Sequence, residues 1–203
     1  MKSWITSLMI AVTAAGPATV AAADHTDTQL RELYQLQAAF HRFGSVADPI
    51  NGDSAAAIDQ RVRDMLALWT KDGYLSFATG GARDGDYLGT GDPADPATCP
   101  TPSANAANRG TLCTFFKYVA GAFQPANKLI SLAPSYKTHF DVLGATATIY
   151  FECHFFNVAM DSATAVPPWT AASHLTFDGS ASRSNSGWLF SHGRIGVAPL
   201  PLP

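Results

Sequence analysis

FDGSASRSNSGWLFSHGRI, residues 177–195, reads as two strands joined by a polar turn, with Gly187 and Trp188 opening the second strand. Ser, Asn and Gly cluster where the chain must reverse, and stretches suited to a strand flank them, which is the pattern of a β-hairpin. Further strands precede it at 128–132, 136–143, 145–158 and 171–177, and the hairpin's second strand covers 188–197. Helices come earlier. Leu30, Leu33, Leu36, Phe40 and Phe43 recur every three to four residues and predict an amphipathic helix over 28–43. After a break at Pro49 and Asn51-Gly52, Asp53 or Ser54 caps a second helix with the stripe Ile58, Val62, Met65, Leu66 and Trp69. That helix ends at the Lys71-Asp72-Gly73 turn, residues 74–79 read as a short strand, and a third helix runs from about 111 to 123. Helices followed by a run of strands make an α+β chain.

Composition narrows the functional classes. The N-terminus has Lys2, an apolar run from Trp4 to Ala15 and small residues ending in Ala21-Ala22-Ala23, which is a secretory signal with an A-x-A site. Its apolar core of roughly 12 residues is short of the ~20 that span a bilayer, so cleavage is expected over anchoring. Residues 1–23 are thus assigned to a signal peptide, and 24–203 to one domain that is periplasmic or secreted and leaves the membrane after cleavage. With 47% hydrophobic and 14% charged residues this domain should bury a sizeable core. A net charge of -3 and no basic run leave nothing for a phosphate backbone, so no nucleic acid is expected as partner. Residues 80–110 are rich in Gly, Pro, Asp, Asn and Ala, have no period, and are expected to form a long, partly ordered lid; the Pro-rich tail 198–203 is expected to be extended.

Three cysteines are an odd number for an exported chain. Cys99 and Cys113 flank the end of the 80–110 loop, and a bridge between them would staple it to the third helix; left unbridged, they would be two further free thiols. Cys153 lies within a strand and reads as a small buried hydrophobe rather than a nucleophile. No spacing matches a zinc site, so neither metal nor cofactor is expected.

The order of elements, the segment ALWTKDGYLSF (67–77), the glycine turn GATAT (144–148) and the hairpin with Gly187-Trp188 and Arg194 resemble the nuclear transport factor 2-like superfamily, most closely its SnoaL-like branch. That resemblance implies a curved antiparallel sheet covered by about three helices, closed into a cone around an apolar pocket. It also implies a homodimer or homotrimer packed through the sheet's outer face. Relatives include cofactor-independent dehydratases, isomerases, cyclases, hydrolases and lyases, alongside non-catalytic members. An apolar pocket shifts pKa values by desolvation and so suits acid–base chemistry.

Strand alternation over 145–158 puts Ile149, Phe151, Cys153 and Phe155 on one face and Thr148, Tyr150, Glu152, His154 and Phe156 on the other. By analogy with ketosteroid-isomerase relatives, the second face would line the pocket, making Tyr150, Glu152 and His154 the leading catalytic candidates. In that reading Glu152 and His154 transfer the proton and Tyr150 orients the substrate; the alternative is that this face meets solvent or a subunit. Relatives also place functional groups on helix one and just after it, where this chain offers His41 and Asp48, the latter as a base. His139 and His192 are expected to point outward. Neither known acid–base set transfers intact: ISLAPSY (130–136) lacks the histidine of the SnoaL-like dehydratases, and Ala78-Thr79 and Ser173 replace the isomerases' base and acid. Aromatic residues at Phe40, Phe43, Trp69, Tyr74, Phe115, Phe116, Tyr118, Tyr150, Phe156, Phe177 and Trp188 favour a small hydrophobic, aromatic ligand. Two functions follow: an exported lyase, dehydratase or isomerase using general acid–base catalysis, or a non-catalytic protein binding a small molecule in the same cone.

Overall fold

Long-range strand pairing organises the chain. The computed structural model describes residues 17–43, 53–81, 84–91, 96–120, 128–159 and 172–199. Helices α1 (Pro17–Phe43), α2 (Ala55–Leu66) and α3 (Leu112–Ala120) pack on one face of a sheet of β1 (Trp69–Ala78), β2 (Gly85–Leu88), β3 (Lys128–Leu132), β4 (Lys137–Leu143), β5 (Thr146–Ala159), β6 (Ala172–Ser184) and β7 (Gly187–Pro199). The order across the sheet is β2-β1-β7-β6-β5-β3, and β4 pairs with β5 along the same edge as β3. β5 is long enough to hold both: β3 meets its far end from Phe155 to Ala159, and β4 its near part from Thr146 to Glu152.

Two features differ from the expected plan. Among the described strands every pairing is antiparallel except β1 with β7, which run parallel with Trp69 opposite Phe190 and Ala78 opposite Gly196. The segment 80–110, read as a lid, contains β2, antiparallel to β1, and a short 3₁₀ turn at Pro96–Thr98. It is tied down further: Arg109 donates from Nε to the Asp84 carbonyl at 2.8 Å and from Nη1 to that of Ser103 at 2.9 Å. Cys99 and Cys113 form the expected disulfide, joining this segment to the first turn of α3. Polar composition hid a strand that pairs with β1, the strand just before it.

Local signals account for most of the remaining elements. Ser54 caps α2, accepting a hydrogen bond from the Ala57 amide, and the buried stripe is Ile58, Val62, Met65 and Leu66. Helix α1 begins eleven positions earlier than expected, at Pro17 rather than 28, and buries Leu33, Leu36 and Phe40. A cut after Ala23 would leave all three in place. The β6–β7 hairpin turns at Asn185-Ser186 with Gly187 at φ +113°, a conformation that favours glycine. Further along, Ser180 faces His192 but Ala181 faces Phe190, so Ser191 is an inserted β-bulge residue that adds twist. Next to it Gly179 opposes Gly193; a Cβ on Gly193 would come within 2.8 Å of Trp69 and 2.9 Å of Phe177, so the glycine lets both rings close over the strand.

The core sits between sheet and helices. Phe151 and Phe177 stack face to face at 4.8 Å, and Phe40 of α1 meets both edge-on at 5.5 Å. This fixes the orientation of β5: Ile149, Phe151 and Cys153 are buried under the helices.

Candidate functional site

A cavity of about 420 Å³ lies between α1, α3 and the concave face of the sheet. Phe40 and Phe43 come from α1, Phe115, Phe116, Tyr118 and Val119 from α3, Phe77 and Thr79 from β1 and its end. Leu132 of β3, Phe155 of β5, Leu175 of β6, and Ile195 and Val197 of β7 complete the wall, with Gly81. Alternation along the strands explains this lining, since Phe77 and Thr79, like Ile195 and Val197, fall two apart on one face. Exposed Tyr118 and Gly81 place the mouth at the end of α3 and the turn after β1. Hydroxyls of Thr79 and Tyr118 are the polar side-chain groups of the wall, and among the described residues no Asp, Glu, His, Lys or Arg lines it.

The expected catalytic face is therefore corrected. Tyr150, Glu152 and His154 do share a face, but it is the outer face of the sheet, while Phe155 lines the cavity. Analogy with the isomerases placed the strand one residue out of step, and such a shift exchanges the faces of a whole strand. On the outer face Glu152 is the hub of a polar cluster. It accepts hydrogen bonds from Lys137 Nζ at 2.7 Å, Tyr136 Oη at 3.1 Å and the Tyr150 hydroxyl, and lies 3.2 Å from His174 Nε2. His154 stacks on Tyr136 at 5.0 Å. The Lys137 ammonium and the Tyr150 hydroxyl favour the carboxylate so strongly that Glu152 is pushed down to about 2. A group ionised so completely near neutral pH is a fixed anion rather than a proton shuttle. Tyr150 is correspondingly raised, because its hydroxyl is engaged by that anion.

His41 is also outside the cone. It lies on α1 beside Phe40 but faces a second cleft, of about 450 Å³, with Tyr34, Gln37, Arg42, Leu132, Pro134, Ser135 and Thr138. There His41 Nε2 lies 2.9 Å from Ser135 Oγ, and the Gln37 amide donates to the same oxygen at 2.6 Å and to Thr138 Oγ1 at 3.0 Å. Burial disfavours the imidazolium and lowers the His41 pKa. Asp48, the other candidate from this region, lies outside the described residues. His139 and His192 are exposed as expected, His192 stacking on Tyr74 at 4.6 Å. Cys153 is buried and free, its thiol pushed up to about 12 by desolvation, as befits a packing residue.

Sequence reasoning missed Thr79, Leu132, Phe155, Leu175, Ile195 and Val197 as cavity residues. The signal was the apolar alternation of β5, β6 and β7 itself.

No family model matches the chain, and no curated protein matches it. Solved structures do. One is a nuclear transport factor 2-like protein with a cystatin-like fold from Novosphingobium aromaticivorans, 16% identical, covering 91% of this chain and 92% of its own, with a TM-score of 0.54. Another is a protein from Kribbella flavida, 10% identical over 87% of this chain and 95% of its own, with a TM-score of 0.53. A third is a candidate dehydratase of the nuclear transport factor 2-like family from Streptomyces avermitilis, 13% identical over 85% of this chain and 98% of its own, with a TM-score of 0.50. At such identities the likeness speaks for architecture, and with the helix-covered curved sheet and its cavity it establishes that the chain has the nuclear transport factor 2-like fold.

Proposed function

We propose that the protein binds a small, uncharged, hydrophobic molecule, aromatic in character, in the cone. The observation that carries this reading is the wall: six phenylalanines with aliphatic side chains, and two hydroxyls near the mouth. Such a surface favours flat apolar ligands and penalises charged ones, because a buried ion without a partner loses its hydration uncompensated. The test is titration with 2-naphthol and with 2-naphthoate, read by the fluorescence of Trp69, whose ring lies 6.2 Å from that of the cavity residue Phe116. Saturable binding of 2-naphthol, with 2-naphthoate weaker by about a hundredfold or more, is expected. Equal binding of both, or of neither, removes the reading.

Catalysis on the same ligand, as a cofactor-independent lyase, dehydratase or isomerase, is a second reading, and the fold of the Streptomyces avermitilis dehydratase candidate supports it. It requires a proton-transfer group, and the sequence candidate for it is Asp48, five positions after the cavity residue Phe43 at the end of α1. Turnover of a bound aromatic alcohol that falls at least ~100-fold in Asp48→Asn would support it; turnover unchanged in that variant would exclude Asp48. Export belongs to the same proposal and is supported by the Cys99–Cys113 disulfide, since such bonds persist in oxidising compartments. Mass spectrometry of the exported protein should then find an N-terminus near Asp24 rather than Met1. Assembly as a homodimer or homotrimer through the outer face is likewise proposed, and light scattering at a mass of one subunit would refute it.

A further inference from the structure

The second cleft contains a serine and an imidazole in contact, away from the cone. Ser135 sits in the turn between β3 and β4, is partly exposed, and holds its Oγ 2.9 Å from His41 Nε2. One other contact fixes that oxygen: the Gln37 amide donates to it at 2.6 Å, and the same amide donates to Thr138 Oγ1 at 3.0 Å. Leu132 separates the two chambers, lining both, so the cleft and the cone are distinct sites.

We propose that Ser135 is an acyl-accepting nucleophile, with His41 as its general base, and that the cleft takes small esters of aromatic alcohols. Each part of the assignment rests on a feature of the site. A base must be unprotonated and within hydrogen-bond reach of the hydroxyl. His41 meets both conditions, since desolvation keeps the imidazole neutral near pH 7 and Nε2 is at hydrogen-bond distance. When Nε2 accepts the serine proton, the ring's own proton stands on Nδ1, which is buried and has no partner among the described residues. No carboxylate lines this cleft among the described residues, and Arg42 and Tyr34 are the ionisable groups that share it with His41. The dyad therefore lacks the acid that orients and strengthens the base in a triad, and it suits esters whose leaving group departs without strong protonation. A phenol is such a group. Tyr34 and Pro134 supply flat apolar walls for its ring, and as Ser135 Oγ moves off the Gln37 amide to attack, the N–H it releases is taken up by the carbonyl oxygen as that oxygen turns negative.

The step balances within the dyad and substrate. Ser135 Oγ forms a bond to the ester carbonyl carbon as its proton passes to His41 Nε2. The bond from the former carbonyl carbon to the aryloxy oxygen then breaks, and the phenol leaves with that proton. Water gives a proton to the same nitrogen, attacks the acyl-serine, and releases the carboxylic acid with Ser135 restored.

The experiment treats the intact protein with a fluorophosphonate, in which a serine oxygen displaces fluoride at phosphorus. Peptide mapping should place the adduct on Ser135. Hydrolysis of p-nitrophenyl acetate should fall at least ~100-fold in Ser135→Ala and in His41→Asn, with circular dichroism unchanged. In the unsubstituted protein the rate should be level at neutral pH and decline on acidification with a midpoint below 6.5, the ordinary imidazole value, because burial lowers that of His41. An adduct on another residue, no adduct at all, or undiminished labelling in His41→Asn overturns the proposal. Should either variant fail to fold, the adduct map and pH profile of the unsubstituted protein decide alone. Neither readout depends on a ligand in the cone, so failure here leaves the cone reading untouched, and the naphthol titration does not bear on Ser135.

Discussion

Which face of β5 is interior can be decided by paired substitutions at neighbouring positions, Phe151→Ala and Glu152→Gln. Phe151 is 0% exposed, stacks on Phe177 at 4.8 Å with the rings 4° apart, and meets Phe40 at 5.5 Å and the His41 ring at 5.4 Å. Truncating a buried Phe to Ala costs about 3–5 kcal/mol, and loss of the stacked and edge-on pairs places this site toward the upper end. For a chain of this size each kcal/mol moves the melting temperature by about 2–4 °C, so the drop should be about 6–20 °C. Glu152→Gln keeps the shape of a side chain on the outer face, and its amide oxygen can still accept from Lys137, Tyr136 and Tyr150, so it should lose the contribution of the ion cluster alone and fall by less than Phe151→Ala. Differential scanning calorimetry of both variants is the assay. A drop under about 4 °C for Phe151→Ala, or a larger drop for Glu152→Gln than for Phe151→Ala, would refute the assignment of faces and with it the apolar cone. If Phe151→Ala does not accumulate, Phe151→Leu should show a smaller shift of the same sign.

The disulfide and the Glu152 cluster give further expectations. Reducing Cys99–Cys113, which closes a loop of about 15 residues, should cost ~3 kcal/mol and lower the melting temperature by about 6–12 °C. A maleimide should label no thiol in the untreated native protein, because the remaining Cys153 is buried with its thiol pushed up to about 12; two labelled thiols would show that the bridge is absent. Because the folded state holds Glu152 at about 2 against an ordinary 4.5, its contribution to stability is present above pH 4.5 and is lost as the pH falls toward 2. Urea midpoints of the parent and Glu152→Gln should therefore converge over that interval, and a gap that does not change with pH would contradict the ion cluster.

Local chemistry made much of the fold legible. The stripe Ile58, Val62, Met65 and Leu66, the cap at Ser54, the turn at Asn185-Ser186-Gly187 and the glycine turn before β5 are each encoded within a few residues and appear where the sequence places them, whereas Trp69 and the expected Lys71-Asp72-Gly73 turn belong to β1, because α2 ends at Leu66. What local chemistry does not carry is pairing at a distance. Strand β2 exists because β1 and the bond from the Arg109 amide to the Asp86 carbonyl hold a polar segment extended, and β1 runs parallel to β7 because the chain crosses the whole domain between them. The inward face of β5 was legible: Ile149, Phe151, Cys153 and Phe155 are its apolar set, hydrophobic alternation alone assigns them inward, and the last of them lines the cavity. Reactive-looking Tyr150, Glu152 and His154 drew the reading to the opposite face, although polar residues on one side of a half-buried strand more simply mark the side toward water. The Ser135–His41 contact joins positions 94 residues apart, and neither residue announces the other.

β7 sits between β1 and β6, although it is made from the last strand-forming residues of the chain. Trp69 waits about 120 positions for its partner Phe190. As the polypeptide leaves the ribosome, β1 with β2 and β3 through β6 therefore emerge as two fragments of sheet that share no strand, each with an open edge that other chains can join. At synthesis rates of about 5–20 residues per second, the first fragment stays unpaired on that side for about 6–25 s, unless chaperones shield it. A stop codon after β6 and before residue 187 would thus leave two half-sheets prone to aggregation rather than a shortened domain, so this fold closes only once β7 is supplied.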